Sequence, residues 1–182
     1  MLPALLLLLA HGASPPVTAA AAAAAAVRGN AAVERPVPPA EAADPAWQTL
    51  PEALAAARQS GRPVLVYVHA RSCGPCRRME RTAFRNAGVR ALLGRVALAR
   101  LDRDDHESTL VVGGRRDSPF GWARQIGAEA TPSFVFLAPD GTPITRASGY
   151  VATERFARLL AFVATGAHRR MDFGAYVRET GG

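Results

Sequence analysis

An apolar, β-branched run, Val64-Leu65-Val66-Tyr67-Val68, begins directly after Pro63 and passes through only four residues to Cys73-Gly74-Pro75-Cys76. A continuous run of this kind suits a strand buried on both faces, and such a strand needs a packed layer on each side. The cysteine pair then lies where that strand hands over to a helix. Pro75 fits the first turn of the helix, where a missing N–H costs nothing. This juncture restricts the chain to a layered α/β architecture.

The remaining elements agree. Thr49 and Glu52 form a capping-box pattern that opens a helix over 51–59, with Gly61 as its stop. The spacing of Met79, Ala83, Phe84, Val89 and Leu92 predicts one helix over 75–93, closed by Gly94. A second strand is expected over 96–101, and residues 103–119 read as a polar insertion with a small apolar island at Leu110, Val111 and Val112. Ser118 followed by Pro119 opens a helix running to Ile126. Strands over 133–137 and 143–147 flank the turn Pro139-Asp140-Gly141 and form a hairpin. Thr153 caps an amphipathic helix over 153–165, and a last helical turn is expected over 171–177. The order is that of an α/β sandwich: a central mixed sheet of four to five strands with helices on both faces.

The chain has 182 residues and two cysteines, which excludes a multi-bridge disulfide scaffold and a complete four-cysteine zinc site. Closing a loop as small as Cys73 to Cys76 stabilises little, so a purely structural bridge would hold nothing together. Half a zinc site with His69, a structural bridge and a fold without turnover remain the alternatives to reversible redox chemistry. For that chemistry the position is apt: orphan N–H groups at a helix start favour a thiolate on Cys73. No metal and no cofactor is expected.

All 22 basic residues are arginine, with net charge +7. They are scattered and no aromatic-basic motif accompanies them, which argues against nucleic-acid binding. Leucines at 5–9, then small residues and prolines, match a secretory signal peptide over 1–27, though without a basic n-region. An uncleaved leader acting as a membrane tether is the alternative, and the leucine stretch is far shorter than the roughly 20 apolar residues of a spanning helix. Residues 28–46 hold four prolines among alanines and read as a disordered tether, leaving 47–182 as the folded domain.

From about Trp47 to Val163 the chain resembles the thioredoxin superfamily. The resemblance rests on Val64-Leu65-Val66, the Cys73-Gly74-Pro75-Cys76 tetrapeptide, Ala130-Thr131-Pro132-Ser133-Phe134 and Gly149. The insertion after Leu101 and the aromatic and arginine-rich ending over 158–177 are similar to exported thioredoxins of sulfur-oxidation systems. The resemblance implies a thioredoxin fold and thiol:disulfide exchange, with Cys73 as the exposed attacking thiol and Cys76 as the recessed resolving thiol. It further implies a cis bond at Thr131-Pro132, whose loop pairs with a substrate strand.

The chain departs from the family at several matched positions. Tyr67 stands where cytosolic thioredoxins carry a buried aspartate, His69 and Ser72 replace two tryptophans, and Arg100 replaces a lysine. Tyr67, His69 and Arg71 are accordingly candidates for tuning the thiols, and Arg77 and Arg78 are either a second source of positive charge or a solvated helix face. The Gly74-Pro75 dipeptide implies a reductase. A disulfide-bearing protein client, a membrane-embedded thiol electron donor, a periplasmic or otherwise exported location and a monomeric state complete the expectation. An oxidant or isomerase, or a non-catalytic docking or chaperone module, is the alternative.

Overall fold

The computed structural model describes residues 44–181. The expected leader and all but the last three residues of the expected tether lie outside them. Among the described residues, no helix is long and apolar enough to cross a membrane.

Four strands form the central sheet: β1 (Val64–His69), β2 (Ala97–Asp102), β5 (Ser133–Leu137) and β6 (Pro143–Ser148). Their order is β2-β1-β5-β6, with β1 and β2 parallel and the other pairs antiparallel. The mixed sheet expected from the sequence is therefore present. Alternation along the strands feeds two cores. Val64, Val66, Val68, Val135 and Leu137 face helices α1 (Leu50–Ser60) and α4 (Pro119–Gln125). Leu65, Tyr67, Phe134 and Phe136 face α2 (Gly74–Arg81), α3 (Ala87–Leu93) and α5 (Thr153–Ala164). A short helix, α6 (Phe173–Glu179), lays Phe173 and Tyr176 against Phe162 of α5.

Local chemistry explains the boundaries. The capping box is made in full: Thr49 N–H donates to Glu52 Oε2 at 2.9 Å, and the Glu52 N–H donates to Thr49 Oγ1. The insertion holds a hairpin of β3 (Leu110–Val112) and β4 (Arg115–Asp117). Its two linking residues, Gly113 and Gly114, have φ of 59° and 80°, the conformation that a two-residue turn matching strand twist requires. Leu110 and Val112 pack on the α1 side of the sheet, so the apolar island anchors the insertion.

Two expectations are corrected. The single helix over 75–93 is broken into α2, a 3-10 turn (Ala83–Arg85) and α3. Thr82 Oγ1 donates back to the Arg78 carbonyl at 2.8 Å, and Asn86 leaves the helix to cap α3, accepting from the Val89 N–H at 3.1 Å. Polar side chains that bind nearby backbone compete with helix continuation, and here they win over apolar spacing. The break still places Met79, Phe84, Val89 and Leu93 in one core. Asn86→Ala is expected to cost about 1 kcal/mol of stability, read from urea denaturation. The second correction is at α5, where Ala152 rather than Thr153 occupies the N-cap, without a side-chain bond.

Candidate functional site

Cys73 is the N-cap of α2 and Cys76 lies in its first turn. The two are joined by a disulfide with their Cα atoms 5.2 Å apart. The Cys76 N–H donates to Cys73 Sγ at 3.1 Å, so the orphan donor of the helix start already points at the sulfur that would carry charge after reduction. In this oxidised form Cys73 is 4% exposed and Cys76 2%, so position at the helix start distinguishes them more than accessibility does. Gly74 and Pro75 fill the first two helical positions between them.

The proline loop is held to the sheet behind it. The Thr131-Pro132 bond is cis. Gly149 N–H donates to the Pro132 carbonyl at 2.7 Å, and Ser133 Oγ donates to the Ala130 carbonyl at 2.6 Å. Ser133 also meets Ser148 Oγ at 3.1 Å, which explains why this buried polar side chain carries no penalty.

The candidate tuning residues divide. The guanidinium of Arg71 pairs with Asp102 at 3.4 Å, and its backbone N–H donates to Asp104 Oδ2 at 3.1 Å. Arg71 thus ties the acidic loop to the segment before the cysteines. Asp104 and Asp105 accept bonds from backbone N–H groups of Arg71, Glu107 and Ser108, so these acids brace loops. Arg78 lies over the Tyr150 ring, 4.1 Å from its centroid, joining α2 to the loop after Gly149. Trp122 is core, while the half-buried Phe120 carries the His106 ring at 4.1 Å.

Tyr67 is fully buried, stacked on Phe134 at 5.5 Å and beside Trp47 and Phe84. Its hydroxyl donates to Glu80 Oε1 at 3.2 Å, and Arg100 Nη2 donates to the same oxygen at 3.1 Å. Burial first, and then the Glu80 carboxylate, push the ionisation of Tyr67 far above its ordinary value. Tyr67 is therefore a neutral hydrogen-bond donor. Sequence reasoning missed Glu80; its only signal there is the four-residue step from Cys76, one turn along α2.

Half-burial and then the Arg100 charge hold His69 below its ordinary value, against the opposing pull of Asp102, Glu80 and Asp104. The folded chain resists protonating His69, whereas the unfolded chain takes a proton near pH 6.5. The stability this confers is present above that pH and is lost as pH falls below it. Between about pH 7.5 and 5.5, the urea midpoint of the wild type should fall further than that of His69→Gln. Equal falls would contradict the shift.

A dithiol at the start of a helix, beside a cis-proline loop at the end of a mixed sheet, defines a thioredoxin-fold protein and supports thiol:disulfide oxidoreductase chemistry. The profile of the thioredoxin-like domain matches residues 50–164, and the chain belongs to that family. Among solved structures it is similar to a thioredoxin from Thermus thermophilus, at 29% identity and a TM-score of 0.53, covering 69% of this chain and 95% of that one. A thioredoxin-fold protein from Helicobacter pylori, at 16% identity and TM-score 0.55 over 65% and 84% of the two chains, shares the fold. So does a DsbH oxidoreductase, at 18% identity and TM-score 0.51 over 73% and 90%. No curated protein matches the chain.

Proposed function

We propose that this protein is an exported thiol:disulfide reductase acting on protein disulfides. Reduced Cys73 attacks a client disulfide as thiolate and forms a mixed disulfide, releasing one client thiol. Cys76 then attacks Cys73 Sγ, the second client thiol leaves, and two electrons have passed from the dithiol to the client. A membrane-embedded thiol donor returns them by the reverse exchange. The exported location rests on the leader at 1–27, and the likeness of the insertion and C-terminal ending to sulfur-oxidation thioredoxins suggests the setting in which the client is found.

The observation that carries the reading is the geometry at Cys73. Its sulfur already accepts the Cys76 N–H, the intervening residues are Gly74 and Pro75, and the cis-proline loop is braced by the Gly149 and Ser133 hydrogen bonds. Thr131 would present its backbone to the client strand.

Insulin reduction tests the direction: the wild-type chain should accelerate precipitation of the insulin chains in the presence of dithiothreitol. A Cys76→Ser variant should trap client and donor as mixed disulfides on Cys73 in exported extracts. Failure of insulin reduction with both cysteines intact would exclude a reductase.

A further inference from the structure

Resolution of the mixed disulfide needs a base. Cys76 is 2% exposed and must lose its thiol proton before it can attack, so bulk water is poorly placed to take it. The residue on β1 closest in the chain pattern to that task, Tyr67, cannot do so: it is neutral, and its hydroxyl is already spent on Glu80. Glu80 follows Cys76 by four residues on α2, so the two side chains share one helix face, with Cβ atoms about 5–6 Å apart.

We infer that Glu80 is the general base for Cys76, held in place by the Tyr67 hydroxyl and the Arg100 guanidinium. Two donors from two adjacent strands converge on one oxygen, Glu80 Oε1, at 3.2 and 3.1 Å. That leaves Oε2 free of both donors. An exposed glutamate serving only solubility would need neither anchor. The Glu80 side chain keeps 36% of its surface exposed, which lets it return the proton to solvent. Of the charged and titratable groups on the neighbouring strands, Tyr67 and Arg100 touch Glu80 directly, and Glu80 acts on His69 together with Arg100, Asp102 and Asp104.

This inference rests on the reductase reading. The step balances as follows. The Cys76 S–H bond breaks and its proton passes to the Glu80 carboxylate. The thiolate forms the bond to Cys73 Sγ, the bond from Cys73 to the client sulfur breaks, and the client leaves as a thiolate that is reprotonated from Glu80 or water. The dithiol is oxidised and the client reduced by two electrons.

Stopped-flow reaction of the reduced full-length chain with Ellman's reagent separates the steps. The first equivalent of thionitrobenzoate reports attack by Cys73, and the second reports attack by Cys76. Glu80→Gln preserves shape and still accepts from Tyr67. It should slow the second phase by at least about 10-fold, within the range removed with a general base, and leave the first phase unchanged. Between about pH 6 and 8 its second phase should climb more steeply with pH than that of the wild type, as hydroxide replaces the carboxylate. Tyr67→Phe, a second variant that deletes only one anchor, should slow the second phase a few-fold with the first intact. An unchanged second phase in Glu80→Gln, or equal slowing of both phases with a parallel pH profile, would overturn the inference. Absence of the first phase in the wild-type chain would instead remove the reductase reading itself.

Discussion

Replacing Cys73 with serine is expected to bring disulfide reduction down to the uncatalysed background while the domain stays folded. The nucleophile in disulfide exchange is a thiolate, and a serine hydroxyl is not ionised at neutral pH even at a helix start. The bridge it removes spans only two intervening residues, so little chain entropy is returned to the unfolded state. Insulin reduction measures the first statement and the urea midpoint the second. The same variant discriminates between the two functional classes. A docking or chaperone module would keep its partner after Cys73→Ser, because its affinity would come from surface contacts rather than from a sulfur bond. Residual reduction well above background would show that the chemistry lies elsewhere than this pair.

Phe134→Ala is expected to be the most destabilising single change on the sheet, by about 3–5 kcal/mol. The ring is fully buried and lies among three others: stacked on Tyr67 at 5.5 Å, edge-on to Phe84 at 6.3 Å and tilted against Phe156 at 4.8 Å. Its removal leaves a cavity shared by β1, α5 and the turn after α2, elements separated widely in sequence, so no local shift can refill it. Domains of this size have about 5–15 kcal/mol in total, so a loss of that order is visible directly in the urea midpoint. A loss below about 1 kcal/mol would mean that the aromatic cluster repacks, contrary to a close-packed core.

What was legible in the sequence is what local chemistry decides. Thr49 and Glu52 cap α1 because both partners lie within one turn. The run from Val64 reads as a buried strand because it is one, covered on both faces. Gly113-Gly114, within the expected polar insertion, is a hairpin turn between a short apolar and a polar run. The break at Thr82 and Asn86 was concealed because periodicity and side-chain competition point in opposite directions there, and the kinked path satisfies both.

For the site, the Cys73–Cys76 pairing and the cis bond before Pro132 were legible through their motifs. Glu80 was not, because its role depends on Tyr67 and Arg100 reaching it from two other elements. Arg71 is a tuning candidate from its proximity to the motif in sequence. Its side chain reaches Asp102, a partner whose nearness follows from the parallel pairing of β1 with β2, His69 opposite Asp102.

The reduction potential of the Cys73–Cys76 couple, from equilibration with glutathione or a reference dithiol, tests the reductase account most directly. A value near that of thioredoxin, about −270 mV, is the result it predicts; a value near that of strong oxidants, about −120 mV, would contradict it and make the protein a donor of disulfides.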